Sequence, residues 1–232
     1  MAYFRKSWLI YLLIAVIFVL FVAGADKTVT TIVQNSPVIR YHTVIIDPGH
    51  GGIDGGATSC TGVLESQINL EISLKLRDLL HLLGLATEMI RTDDISVYTE
   101  GATIAAKKAS DLRQRVKIVN STENAILISI HQNTYSDPKY SGAQVFYAGT
   151  SGSQALARNL QQAIVHTLNP GSNRKEKEAD HIYLMKHIQR TGVLVECGFL
   201  SNPEEEGKLR NETYQKAICC VIASVLSQYL HA

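Results

Sequence analysis

Residues 44–52 read VIIDPGHGG, and this stretch decides the fold class. Its first three residues are continuously apolar, which is typical of a short strand buried on both faces of a sheet. Asp47, Pro48 and Gly49 then end the strand, because proline and glycine interrupt regular structure. The stretch therefore predicts a buried strand that carries a polar, glycine-rich loop at its carboxyl end.

Strands and helices continue to alternate along the chain. Apolar residues repeat on one helical face from Glu65 to residue 83, and Gly84 stands where a glycine commonly ends a helix. Ser110 and Asp111 are predicted to cap a helix that ends at residue 119. Further elements are predicted as strands at residues 85–90, 125–130, 142–147 and 193–195, and as helices at residues 154–168, from Asn202-Pro203 onward, and at residues 213–230. We therefore expect one α/β domain in which helices flank a central, mostly parallel or mixed sheet.

The first 41 residues have a different character. Arg5 and Lys6 precede an apolar run from residue 8 to residue 23, and residues 23–25 (AGA) have the small-x-small form of a cleavage site. We predict a signal peptide or membrane anchor at residues 1–25, a linker at residues 26–41 and the folded domain at residues 42–232. Because positive charge stays on the cytoplasmic side, the rest of the chain is expected to be exported, either secreted or tethered to the membrane.

The composition excludes several classes of protein. The chain has 232 residues, of which 46% are hydrophobic and 19% charged, and this excludes disordered, collagen-like and coiled-coil chains. The formal net charge is +1, without the basic surplus that binding to nucleic acid requires. The four cysteines show no CxxC spacing, which argues against a structural zinc site. A disulfide between Cys60 and Cys197 stays open.

Chemically capable side chains follow three of the buried strands. His50 follows the first, His131 the third and Glu196 the last, and the carboxyl ends of such strands usually meet at a ligand site. Two histidines and one carboxylate are a common ligand set of Zn²⁺ in hydrolases. Glu65 opens the next helix and could supply that carboxylate, or it could merely complement the helix dipole. Glu196 is the candidate for the carboxylate that accepts a proton from water.

Other interpretations of these residues remain open. The glycines around His50 could cradle a phosphate, although no Gly-Lys-Ser/Thr follows them. Asp47 and Asp54 could be ligands or could hold a histidine in one tautomer. The charged run at residues 174–177 (RKEK) is either a solvated loop or part of a substrate groove.

Four strings in order carry a family resemblance. They are IIDPGHGG at residues 45–52, LE at 64–65, SIHQN at 129–133 and VECGFLSN at 195–202. Together they resemble the zinc-dependent N-acetylmuramoyl-L-alanine amidases of the Amidase_3 family, over about residues 42–231. The resemblance implies that His50, Glu65 and His131 bind one Zn²⁺ and that Glu196 is the catalytic acid and base. It also implies that zinc-activated water hydrolyses the amide bond between N-acetylmuramic acid and L-alanine in peptidoglycan. Cys197 departs from the family pattern and places a thiol next to Glu196 in the sequence.

A narrower resemblance concerns the strings DLR at residues 111–113 and SGAQ at residues 141–144. These strings, the N-terminal apolar segment and the absence of a wall-binding module are similar to the germination-specific amidases of endospore formers. This implies action in the forespore or cortex space, where removal of stem peptides precedes formation of muramic-δ-lactam. The expected partner is a peptidoglycan strand, with a possible accessory protein. Two rival functions are another metallohydrolase with the same ligands and a wall-binding protein without catalysis.

Overall fold

The computed structural model describes residues 42–231, and six of its strands form one mixed sheet. The predictions for residues 1–25 and 26–41 lie outside the described residues. The strands are β1 (Thr43–Pro48), β2 (Thr87–Met89), β3 (Ala125–Asn133), β4 (Gln144–Tyr147), β5 (Lys177–Glu178) and β6 (Thr191–Phe199). They lie in the order β2-β1-β3-β6-β4-β5. The first four in this order are parallel to one another, whereas β4 is antiparallel to β6 and parallel to β5.

Helices cover both faces of this sheet. They are α1 (Glu65–Leu82), α2 (Ile104–Ser121), α3 (Ser153–Thr167), α4 (Tyr183–His187), α5 (Pro203–Leu209) and α6 (Glu212–His231). One face packs against α1, α3 and α6, and the other packs against α2 and α4. Within residues 42–231, none of the helices combines the length and the apolar character that a bilayer crossing requires. The predicted single α/β domain with a mixed sheet is confirmed.

The central strands are apolar on both sides because both of their faces are covered. Ile46 of β1 lies beside Ile128 of β3, and Ile130 of β3 lies beside Val195 of β6. All four side chains are fully buried. This burial explains why continuous apolar runs, rather than alternating patterns, mark these strands in the sequence.

One predicted helix start is wrong. Helix α2 begins at Ile104, six residues before Ser110, and the Thr103 hydroxyl caps it by accepting the Ala106 N–H. Ser110 and Asp111 lie inside the helix, where they serve the extended segment that precedes it. The Asp111 carboxylate accepts the Val97 N–H at 2.6 Å, and the Ser110 hydroxyl accepts the N–H groups of residues 99 and 100. Residues with capping chemistry here satisfy a neighbouring segment instead of their own helix.

The cysteines are unpaired throughout the described residues. Cys60 is exposed, whereas Cys197 is buried in the core. The disulfide left open by the sequence is therefore absent. Strand alternation also turns the Cys197 side chain to the sheet face opposite Glu196, so the thiol does not face the candidate acid as the sequence suggested.

A buried ion pair closes the carboxyl end of β1. Asp47 is 1% exposed, pairs with the guanidinium of Arg115 and accepts the Ser129 hydroxyl at 2.7 Å. Burial alone would raise the pKa of Asp47, but the Arg115 charge and the Ser129 hydroxyl hold it below its ordinary value. The pair ties α2 to the strands that carry the polar loop.

We predict that Asp47→Asn lowers the free energy of unfolding by about 3–5 kcal/mol, because it breaks a buried pair and leaves Arg115 short of one partner. Since the folded-state pKa of Asp47 lies below the unfolded value of about 3.9, this contribution is present above about pH 4 and is lost in acid. Urea unfolding at several pH values measures both effects. The control is Asp78→Asn, whose carboxylate is 67% exposed in a surface pair with Arg77 and should matter by less than about 1 kcal/mol. Equal effects of the two substitutions would contradict the prediction.

Candidate metal centre

The candidate site lies at the point where the chain reverses its direction across the sheet. From β1 the chain moves outward to β2, and it then returns to β3 on the other side of β1. Ligands of open α/β sheets bind at such a switch point, beyond the carboxyl ends of the strands. His50 follows β1 directly, and His131 lies near the end of β3. A pocket of about 260 Å³ opens there, lined by His50, His131, Glu196, Lys108, Leu112 and Ile182.

Three predicted ligands come together in this place. His50, Glu65 and His131 each offer one ligand atom, and these atoms lie within 4.8 Å of one another. His50 Nε2 is 3.3 Å from Glu65 Oε2, and His131 Nδ1 is 3.0 Å from Glu65 Oε1. Donors around a tetrahedral zinc ion at about 2.0–2.1 Å are separated by about 3.3 Å. Both the chemistry and the spacing of the donors therefore fit a zinc ion.

The Glu65 carboxylate is the centre of the cluster, although it is only 4% exposed. The backbone N–H groups of Ala57 and Gln132 donate to its two oxygens, at 2.9 and 3.1 Å, and the Asn69 amide donates at 3.3 Å. Burial would raise the pKa of Glu65, but the hydrogen bonds from His131 and His50 hold it well below its ordinary value. Glu65 is thus fixed as a carboxylate, which is the form that binds a cation.

Asp54 and Lys108 orient His50. The His50 Nδ1–H donates to Asp54 Oδ2 at 2.9 Å, which leaves Nε2 pointing to Glu65. Lys108 donates to the other oxygen of Asp54 at 2.7 Å. Although burial favours the neutral ring, hydrogen bonds to Asp54 and Glu65 raise the pKa of His50 to about 9. The carboxylates therefore stabilise positive charge at this point, whether a proton or a metal ion that replaces it.

Two glycines make room for the ligands. A Cβ atom on Gly49 would lie 2.3 Å from Nε2 of His131. A Cβ atom on Gly56 would lie 2.6 Å from Glu65 Oε2 and 2.7 Å from the His50 ring, at a backbone φ of 68°. Any larger residue at these positions would push the ligands apart. The glycines following His50 are thus explained without a phosphate: they lead into a turn with a bridge between Gly51 and Asp54, and the next helix after this turn begins only at Glu65.

Glu196 lines the same pocket, and its buried Oε2 atom has no hydrogen-bond partner within residues 42–231. Burial, together with the nearby Glu65 carboxylate, raises the pKa of Glu196 to about 7, against the lowering effect of His131 and His50. A group with a pKa near neutral can both accept and return a proton at physiological pH. A buried carboxylate with such a pKa has the properties that general acid–base chemistry requires.

Two buried arginines hold the loop that carries His50. Arg91 donates to the carbonyls of Pro48 and Gly49 at 2.9 and 3.0 Å, and Arg115 donates to the His50 carbonyl at 2.7 Å. His50 itself has a φ of 61°, a left-handed conformation that costs a non-glycine residue about 1–3 kcal/mol. The arginines compensate this strain by binding the carbonyls on either side of it.

The structure brings together every predicted site residue. It also gives the two alternative ligands, Asp47 and Asp54, other partners. His50, Glu65, His131 and Glu196 line or adjoin one pocket, and Asp54 is a histidine partner rather than a further ligand in this geometry. Asp47 pairs with an arginine instead. Sequence reasoning missed Asn69, Lys108 and the arginines at 91 and 115. Asn69 alone had a signal, because it is an amide among the mostly apolar residues on the buried face of α1.

Known proteins resemble this chain over nearly all of the described residues. Residues 44–228 match the family model Amidase_3, described as N-acetylmuramoyl-L-alanine amidase. The germination-specific N-acetylmuramoyl-L-alanine amidase of Bacillus subtilis is 38% identical over 188 residues, which cover 80% of this chain and 78% of that protein. The CwlD amidase from Clostridioides difficile, solved in complex with the GerS lipoprotein, has a TM-score of 0.78 at 38% identity and covers 82% of this chain and 98% of its own. An N-acetylmuramoyl-L-alanine amidase from Clostridium difficile 630 has a TM-score of 0.71 at 31% identity, and the match covers 82% of this chain and 97% of that chain. This chain therefore belongs to the N-acetylmuramoyl-L-alanine amidase family Amidase_3.

Proposed function

We propose that this chain hydrolyses the amide bond between N-acetylmuramic acid and L-alanine in peptidoglycan, with one Zn²⁺ bound by His50, Glu65 and His131. The observation that carries the proposal is the position of a partner-free Glu196 oxygen beside three donor atoms within 4.8 Å of one another. A wall-binding protein without catalysis would have no need of a proton-transfer group there. Family membership supports the amide bond as the target.

The chain's own residues account for the proton transfers. When bound, Zn²⁺ supplies Lewis acidity that lowers the pKa of water and polarises the scissile carbonyl. The Glu196 carboxylate accepts a proton from the attacking water as the water oxygen adds to the carbonyl carbon. The C–N bond then breaks, and Glu196 returns the proton to the amine nitrogen of the departing L-alanine. Asp54 and Lys108 keep His50 in the orientation that leaves Nε2 free as a ligand.

The biological setting is part of the proposal. The likeness to germination-specific amidases supports spore cortex as the substrate and export across the cytoplasmic membrane, with residues 1–25 as signal or anchor and residues 26–41 as linker. The CwlD amidase was solved with the GerS lipoprotein, and this supports an accessory protein as a partner of our chain too. We place the zinc amidase domain at residues 42–232.

The direct test is mass spectrometry of cortex muropeptides after incubation with the purified full-length chain. We expect free peptides with an N-terminal L-alanine and glycan strands with unsubstituted lactyl groups, because only the lactyl–alanine amide breaks. A chelator should abolish these products and added Zn²⁺ should restore them. New amino groups inside the peptide would instead identify a peptidase. Hydrolysis would be refuted if the muropeptides stayed unchanged without zinc, with zinc, and with a candidate accessory protein added.

Two substitutions separate proton transfer from metal binding. Glu196→Gln should keep zinc, measured by elemental analysis, but lose about 10²–10⁴-fold in kcat/KM, because the amide cannot accept the proton. His50→Ala should lose the zinc as well. Glu212→Gln, at a carboxylate that is 69% exposed and paired with Lys216, is the matched control and should change neither quantity. Turnover near wild type in the Glu196 variant would remove Glu196 from the mechanism.

A third substitution tests the spacing of the ligands. Gly49→Ala should lower zinc affinity by about 10–100-fold, since its methyl group displaces the His131 ring. A competition titration with a zinc indicator measures this affinity, and circular dichroism checks the fold. Gly207→Ala in α5 is the control, because a Cβ atom there meets nothing within 4 Å. If both variants bind zinc as the wild type does, the close approach of His131 to Gly49 is irrelevant to the metal site.

A further inference from the structure

A second, larger cavity of about 1130 Å³ lies near the metal centre. It is a groove between the β3–β4 connection and the segment that leads into β5, lined by Ser141, Gln144, Asn169, Arg174, Lys175 and Lys177, among others. The charged run at residues 174–177, which the sequence left as either a solvated loop or a groove wall, therefore lines a groove.

The reversed direction of β4 brings this groove to the catalytic end of the sheet. Because β4 is antiparallel to β6, its first residue, Gln144, lies opposite Glu196. The buried Gln144 amide donates to the Lys175 carbonyl at 2.6 Å, which fixes the charged run against the start of β4. The groove therefore begins at the residue that pairs with Glu196 on the neighbouring strand.

The groove carries positive charge that this part of the chain does not neutralise. Within residues 42–231, no ion pair joins Arg174, Lys175 or Lys177 to a carboxylate. Glu176, which lies among them, is paired with Arg158 at 3.0 Å. Two further carboxylates line the groove: Glu204 is paired with Lys208, and Glu205 is 7% exposed and accepts two backbone N–H groups. The accessible charges in the groove are therefore mostly cationic.

Arg174 is held in place before any ligand arrives. Its guanidinium lies 5.1 Å from the centre of the Phe199 ring and donates twice to the Ser141 carbonyl, at 3.1 and 2.9 Å. Arginine ordered in this way loses little side-chain entropy when an anion binds next to it. By contrast, Lys175 and Lys177 are exposed and free to reach outward.

We propose that this groove binds the carboxylates of the stem peptide, the part of the substrate that leaves after hydrolysis; this inference rests on the proposed function. The scissile amide joins the sugar to the N-terminal alanine, so the rest of the peptide extends away from Glu196 on the leaving-group side. Its C-terminal carboxylate is ionised at neutral pH and lies at the distal end. A cationic groove beside the proton-transfer residue matches this polarity and selects an acidic peptide.

The test compares two synthetic substrates that differ in one charge. Both are N-acetylmuramoyl peptides of the same sequence, beginning with L-alanine and free of other ionisable groups; one ends in a carboxylate and the other in an amide. We expect the zinc-loaded wild type to show a KM about fivefold lower for the carboxylate form, as two exposed charge contacts allow. The difference should shrink at 1 M salt, because exposed charges are screened. Lys175→Gln/Lys177→Gln should reduce the preference, since only Arg174 of the three unpaired cations remains, and the change should be a higher KM for the carboxylate form.

The control is Lys75→Gln/Lys117→Gln, which also removes two positive charges. Lys75 on α1 and Lys117 on α2 each lie about 14 Å along their helix from Glu65 and Lys108, respectively. It should keep the preference. Two results would overturn the groove proposal while the amidase function stands. One is equal KM values for the two substrates in the wild type, and the other is an equal rise in KM for both substrates in the Lys175/Lys177 variant. If the wild type cleaves neither substrate nor cortex muropeptides, the proposed function fails, and the groove proposal fails with it.

Discussion

The whole site depends on keeping one charged carboxylate buried. Glu65 is almost fully enclosed, and an unpaired carboxylate in such a place would take up a proton rather than stay ionised. Two backbone N–H groups and the Asn69 amide satisfy its oxygens, and His50 and His131 face it from both sides. The backbone donors come from the loop before α1 and from β3, so the carboxylate keeps its charge only if sheet, loop and helix are assembled together. Folding and the ability to hold a cation are therefore coupled.

The same coupling explains the buried arginines. The loop after β1 must turn sharply enough to present His50, and the left-handed conformation of that residue is the result. Arg115 reaches this loop from α2, and Arg91 reaches it from the end of β2, so the segment that connects β2 to β3 holds the loop at the switch point. Asp47 balances the Arg115 charge in the interior. A strained loop is thus held by buried charges, of which Asp47 and Arg115 also line the pocket.

The sequence predicted those parts of the structure that follow from local rules. Buried strands and the polar residues at their ends are readable because covered strands must be apolar and the chain must leave them at one edge. The Glu65 role was open on spacing and depended on the family resemblance, since a first-turn glutamate has a sufficient local reason to exist. Long-range contacts gave no such signal: Arg115 is a buried cation on a mostly exposed helix, and Ser110 and Asp111 resemble a cap although they bind a distant segment. The cap prediction failed because hydrogen-bonding side chains do not record in sequence which backbone they will serve.

The reversal of β4 has the largest consequence for the substrate. In a wholly parallel sheet, a strand next to β6 would begin at the opposite edge from Glu196. Because β4 runs the other way, it begins beside Glu196 and brings the β3–β4 connection and the approach to β5 to the catalytic edge. The centre of the site then carries carboxylates that attract a cation, and its flank carries the cations of residues 174–177. If the groove binds the carboxylates of the stem peptide as proposed, the neutral amide and the carboxylates of an extended substrate meet opposite fields at the two places, and the topology of the sheet then sets the direction of the peptide.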